Sequence, residues 1–218
     1  MKTDTKLRHD VEAELEWEPS VDERQIGVAV KDGIVTISGT VSSYAEKWNA
    51  ERAVERVAGV RGVVNELEVH TPGSQTDADI AEAVANGLKW NSLVPDDAIT
   101  FKVDHGWVTL KGRVSFDYER RAAERAVRYL PGVRGVSNLI EVAPSAKPQD
   151  IKKQIEETFR RQASVDAENV TVETTPDGEV ILRGTVRSWI ERHEAEKAAW
   201  AAPGVRSVKN YIAVQAVA

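Results

Sequence analysis

The chain has 218 residues, with no cysteine and a single methionine. A disulfide framework, a cysteine-ligated zinc site and a thiol nucleophile are therefore all excluded. Aromatic residues are sparse at 6%, and no apolar run approaches the ~20 residues that a membrane-spanning helix needs. The opening residues Met1-Lys2-Thr3-Asp4-Thr5 lack the apolar stretch of a secretory signal. A cytoplasmic chain is expected, or a periplasmic one if such a segment has been removed. Basic excess is missing as well: 29 Lys and Arg stand against 35 Asp and Glu, a net charge of −6. A general nucleic-acid binder carries the opposite balance, so nucleic acid is not an expected partner. What is present, 41% hydrophobic and 29% charged residues, is the composition of a folded, water-soluble chain.

The chain repeats itself. Gly39, Gly112 and Gly184 are 73 and 72 residues apart, and each opens a similar stretch ending in Val41, Val114 or Val186. Six residues before each stands another glycine (Gly33, Gly106, Gly178), and twenty after each a third, always followed by Val-Arg (Gly59, Gly132, Gly204). Between them lies Ala-Glu-(Arg/Lys)-Ala, at 50–53, 123–126 and 195–198. Asn65, Asn138 and Asn210 recur in step. This is a triplicated module. Copies span 1–69, 77–142 and 149–218, joined by polar linkers rich in Pro, Gly and Ser at 70–76 and 143–148. Acidic excess concentrates in the first copy, which carries 9 basic and 14 acidic residues.

Within a copy the apolar spacing predicts the elements. Leu7-Val11-Leu15, Ile80-Val84-Leu88 and Ile151-Ile155-Phe159 each mark one face of a helix. Two alternating runs follow, hinged at Asp32-Gly33, His105-Gly106 or Pro176-Asp177-Gly178, the chemistry of a tight hairpin. A second helix buries Ala50, Ala53, Val54 and Val57 or their counterparts. It starts at a capping box in copies one (Ser43, Glu46) and three (Ser188, Glu191). Copy two has Phe116 at the serine position, which leaves Asp117 as the expected cap. The helix stops at Gly59, Gly132 or Gly204, and a last strand carries Leu67-Val69, Ile140-Val142 or Ile212-Val214. The order αββαβ describes an α+β module, a three-stranded sheet with two helices on one face.

These features resemble the BON domain, named for bacterial osmotically inducible and nodulation proteins. The resemblance rests on Gly-(Ile/Trp/Glu)-Val-x-(Ile/Leu)-x-Gly-x-Val, on the Ala-Glu-(Arg/Lys)-Ala helix and on Gly-Val-Arg-x-Val-x-Asn before the last strand. It covers nearly the whole chain, three times. It implies a binding or scaffolding protein without catalysis or cofactor, associated with osmotic stress. Phospholipid or protein surfaces are the implied partners. A cytoplasmic relative that binds potassium gives the alternative of an ion sensor or buffer.

The residues themselves offer little chemistry. Neither phosphate-binding glycine pattern is present, and turn and helix stop account for the glycines. The asparagines are expected to satisfy nearby backbone groups. His9, His70, His105 and His193 show no metal spacing, and Glu51, Glu124 and Glu196 read as a charged outer helix face. Acidic pairs precede the first strands (Asp22 and Glu23, Asp96 and Asp97, Asp166 and Glu168), but two carboxylates do not define a cation site. The outer stripe of the second helix is more informative. It carries Tyr44 and Trp48 in copy one, Arg121, Arg125 and Arg128 in copy two, and Trp189, His193 and Trp200 in copy three. These side chains point away from the predicted core and form the candidate contact surface, facing either another copy or an external partner. Trp17 and Trp90, at equivalent helix ends, are expected to close the core, and Trp107 to lie on the opposite side.

Overall fold

The computed structural model describes residues 2–71, 73, 75–143, 151–161 and 169–215. Three times the chain runs helix, hairpin, helix, strand. The first module comprises α1 (Asp4–Trp17), β1 (Ile26–Lys31), β2 (Ile34–Val41), α2 (Tyr44–Arg56) and β3 (Gly62–Val69). The second has α3 (Asp77–Trp90), β4 (Ile99–Asp104), β5 (Trp107–Val114), α4 (Asp117–Arg128) and β6 (Gly135–Val142). The third has α5 (Ile151–Arg161), β7 (Val170–Thr174), β8 (Glu179–Val186), α6 (Trp189–Trp200) and β9 (Ser207–Val214). Each module forms one sheet whose middle strand is the second: β1-β2-β3, β4-β5-β6 and β7-β8-β9.

Register follows from the connections. A tight turn allows β4 and β5 to pair antiparallel, from Ile99 opposite Gly112 to Asp104 opposite Trp107. β5 and β6 run parallel, from Trp107 opposite Gly135 to Val114 opposite Val142, and α4 is the crossover that parallel pairing requires. β7, β8 and β9 repeat both relations. Alternation then buries one face: Val108, Leu110 and Val114 are buried, whereas Trp107, Lys111 and Arg113 on the same strand are exposed.

The helices close that face with the expected residues. Leu7, Val11 and Leu15, then Ile80, Val84 and Leu88, are buried in α1 and α3. In the third module Ile151, Ile155 and Phe159 join Val172, Val180, Leu182, Ala195, Ala199 and Ile212 in one cluster. Burying each large aliphatic or aromatic side chain there contributes roughly 1.5–3 kcal/mol. Contacts divide the chain into two compact units that do not follow the repeat. Met1–Ser38, Asn49–Glu66 and Pro144–Ala218 form one, and Gly39–Trp48 with Leu67–Ala143 the other.

The first helix also fixes the hairpin. Asp4 at the start of α1 accepts hydrogen bonds from the amides of Asp32 (2.8 Å) and Gly33 (3.1 Å). Asp77 does the same for His105 (2.8 Å) and Gly106 (2.9 Å). The turn residues Asp32 and His105 sit at φ 53° and 51°, the left-handed geometry of a hairpin turn whose twist suits the strands. From the far side, the amides of Arg61, Arg134 and Arg206 donate to the carbonyls of Gly33, Gly106 and Gly178 at 2.8, 2.9 and 2.8 Å. That contact ties the segment after the second helix to the hairpin in every module.

Several expectations need correction. Trp17 and Trp90 do not close the core: they are 83% and 79% exposed. Each comes two residues after the last core position of its helix (Leu15, Leu88) and so projects off the apolar stripe. Asp117 does not cap α4. Glu119 reaches back to accept from the amides of Ser115 (2.9 Å) and Phe116 (3.0 Å), which leaves Asp117 for another task. Turn and helix stop do not account for Gly112 and Gly184, which lie within β5 and β8 at φ 150° and 132°. A Cβ on either would collide with the carbonyl oxygen of Ala98 or Asn169, the residue just before the neighbouring strand, so the close approach demands glycine. Val57 lies just beyond α2 and is only half-buried. The linker after Ala143 and the acidic pair Asp166 and Glu168 lie outside the described residues.

Candidate functional site

The second helix of each module is tied to the last strand by side chains in register. Asn65, Asn138 and Asn210 donate to the carboxylates of Glu51, Glu124 and Glu196 at 2.9, 3.2 and 3.0 Å. Asn138 and Asn210 also donate to the carbonyls of Arg120 (2.9 Å) and Arg192 (3.3 Å), and their side-chain oxygens accept from the amides of Ile140 (3.3 Å) and Ile212 (3.1 Å). Lys47 donates to the Leu67 carbonyl at 2.6 Å, and Arg192 to those of Ile212 (3.1 Å) and Asn210 (2.9 Å). Asn138 and Asn210 do satisfy backbone groups, as the sequence indicates. Each glutamate is half of a clamp, which charge patterning alone misses. The signal was the constant separation of 14 residues between Glu and Asn in all three copies.

Much of the outer stripe of these helices is engaged, Arg125 being exposed. In the unit built on the second module, the Arg128 guanidinium lies over the Trp48 ring, 3.8 Å from its centroid. Arg128 also pairs with Glu124 at 2.5 Å, and only 10% of its side chain is exposed. Its Nε is buried and makes no hydrogen bond among the described residues, so the indole face supplies part of what solvent would otherwise give that cation. Asp117, 3% exposed at the first turn of α4, binds Arg120 and Arg121. The Arg121 contact, 2.6 Å to Oδ2, is an ion pair without hydrogen-bond alignment. A carboxylate there is further favoured by the positive end of the helix.

In the other unit, Trp189 donates from its indole nitrogen to the Val60 carbonyl at 3.1 Å, joining the third module to the first. The Arg192 guanidinium lies 5.1 Å from the same ring. Burial holds Glu55 of α2 above the usual carboxylate range; Arg52 opposes this and neighbouring Glu51 adds to it, with Arg192 a weaker opposing charge. Trp200 packs against the buried cluster of its own module, a correction to the expectation that the whole stripe points away from the core. Tyr44 and His193 are half-buried, and Arg125 is exposed. Of the other histidines, His9 and His105 are exposed on a helix and a turn.

Large exposed rings lie elsewhere. Besides Trp17 and Trp90 there is a stacked pair at the start of α4, Phe116 and Tyr118, with centroids 5.5 Å apart. Tyr129 is exposed at the other end of α4. Trp107 lies on the outer sheet face of the second module, as expected, its indole nitrogen donating to Ser137 Oγ at 2.9 Å. Nothing in the sequence marks Phe116, Tyr118 and Tyr129 as exposed rings, because exposure at a helix end leaves no periodic trace. No helix among the described residues is long and apolar enough to cross a membrane. No group of three or more His, Asp or Glu among them could hold a metal ion.

Three αββαβ units, each clamped by the same Asn–Glu pair, define a protein of tandem BON modules. The chain belongs to the BON domain family: residues 3–71, 76–144 and 148–216 each match that domain. Among individual proteins it is similar to Osmotically-inducible protein Y of Escherichia coli (strain K12). Identity is 31% over 180 residues, which cover 78% of this chain and 87% of that one. The C-terminal domain of CdsD, a structural protein of the type III secretion system of Chlamydia trachomatis, aligns over 99% of this chain at 15% identity. Its TM-score of 0.27 is too low to carry any argument.

Proposed function

We propose that the protein is a non-enzymatic binding or scaffolding protein of the osmotic or general stress response, and that it associates with anionic phospholipid surfaces. The stress role is supported by the similarity to Osmotically-inducible protein Y across 87% of that protein. A non-enzymatic role is supported by how the repeated residues are used. The asparagines and glutamates that recur in register bond to each other, and recurring glycines such as Gly112 and Gly184 lie against the backbone of their own module.

The observation that carries the surface role is the exposure of Trp17 and Trp90 at the same place in two modules. A nearly bare indole on a folded domain is costly in water and suits the interface between headgroups and acyl chains. Arg125 on α4 is a free-standing exposed cation that would add attraction to anionic headgroups. Arg128, Trp48 and Trp189 hold the modules together and contribute indirectly. Flotation with phosphatidylglycerol and phosphatidylcholine vesicles at low salt tests this. Binding to the anionic vesicles alone is expected, weakened when Trp17 and Trp90 are changed to alanine together. Failure to float with either vesicle, or equal flotation of the double variant, removes the lipid role and leaves a protein surface as the partner.

A further inference from the structure

We propose that the outer sheet face of the second module docks onto the outer sheet face of the first module of another copy, so that chains associate head to tail. Each face combines an exposed apolar pair with a charge that the described residues leave without an ion pair, and the two charges are opposite.

On the second module, Trp107 lies flat against Gly135, where any Cβ would collide with its ring. The bond to Ser137 fixes the indole in place. Two rows along, Lys111 stands opposite exposed Leu139. Both line a shallow concavity of about 680 Å³ together with Ala98, Gly112, Arg113 and Glu141. Arg113 is committed to Glu141 at 3.1 Å, whereas no ion pair is found for Lys111. On the first module, Ile34 of β2 and Val64 of β3 are exposed, and Glu66 follows Val64 on the same side of β3 without an ion pair.

All four apolar side chains are exposed among the described residues. Sheets pack face to face at about 10 Å when both inner surfaces are apolar, and Lys111 against Glu66 fixes which face meets which. The third module lacks such a face. There Arg183 pairs with Glu173 at 3.6 Å and covers Tyr211 at 5.1 Å, and Lys209 pairs with Glu179 at 3.0 Å. Two different patches on each copy make a heterologous contact, which propagates as an open chain or closes as a ring.

Sedimentation velocity of the full chain over about a hundredfold range of concentration tests the inference. Average mass is expected to rise with concentration, and Leu139→Asp or Ile34→Asp to keep the protein monomeric. Each of these single variants keeps one face, so an equimolar mixture of the two should give dimers and nothing larger. Lys111→Glu should weaken association about tenfold, and Glu66→Lys in the partner copy should restore it. All the altered side chains are exposed, and thermal melts confirm that the variants fold. A wild-type mass of one chain at every concentration overturns the proposal. So does a mixture of the two aspartate variants that stays monomeric.

Discussion

Arg128, near the end of α4, covers the ring of Trp48 on α2 at 3.8 Å, so a cation from the second module is seated on an aromatic from the first. Such a contact contributes about 2 kcal/mol when desolvated. Trp48→Ala or Arg128→Ala is therefore expected to lower the urea unfolding free energy by about that amount or more, since packing is lost too. The double variant should cost less than the sum of the two. A cycle that is purely additive would show that the two side chains do not interact.

Glu196 and Asn210 fasten α6 to β9 at 3.0 Å. Removing either leaves a half-buried partner with an unmade charge-assisted bond, at a cost of about 1–2 kcal/mol. Asn210→Ala should lower the melting temperature by several degrees, whereas Asn210→Asp should cost more because two carboxylates would face each other. If Asn210→Asp matches wild type in a melt, the clamp has no energetic weight.

Gly184→Ala should be among the most damaging small substitutions in the chain. The new methyl group meets the Asn169 carbonyl, and the residue must hold φ 132°. A loss of about 3 kcal/mol or more is expected. Gly27→Ala makes the contrast: its Cβ would sit 3.5 Å from Ser38 Oγ, an ordinary contact. Chemical denaturation of the two variants side by side should show a clear drop for the first and little change for the second.

Glu55 and Glu18 should give pH dependences of opposite sign. Burial raises the Glu55 pKa above its ordinary 4.5, so the folded chain favours its protonated form. That contribution is full below the unfolded-state value and is lost as pH rises through the folded one. The Ser20 hydroxyl, and then the Arg56 guanidinium, lower the pKa of Glu18. Its contribution is present above 4.5 and disappears as pH falls through the lowered value. Unfolding measured from about pH 3 to 7 should find Glu55→Gln more stable than wild type near neutrality. Glu18→Gln should be less stable there, with its deficit closing in acid.

The scaffold was legible because its determinants are local and repeated. Leu7-Val11-Leu15 sits at helical spacing and Gly59 stops a helix, each three times over, and the left-handed Asp32-Gly33 turn recurs at His105-Gly106. What could not be read depends on side chains meeting across distance. Trp48, Trp189 and Trp200 share one stripe, yet the first accepts a cation, the second bonds to a carbonyl of another module, and the third packs on its own core. Helical spacing alone could not separate these outcomes. The tryptophans at 17 and 90 deceived for a related reason: a helix end near the core's rim is compatible with either side, and two residues past Leu15 and Leu88 proves to be outside.

The clamps at Glu51, Glu124 and Glu196 are the same in every copy, but the position of Trp48 is occupied by Arg121 and then by His193. A chain rebuilt from three identical second modules would bring Arg121 toward Arg128, so that guanidinium confronts guanidinium where an indole now receives it. The modules thus share one frame but not their joints, and the order of the modules along the polypeptide is itself encoded information.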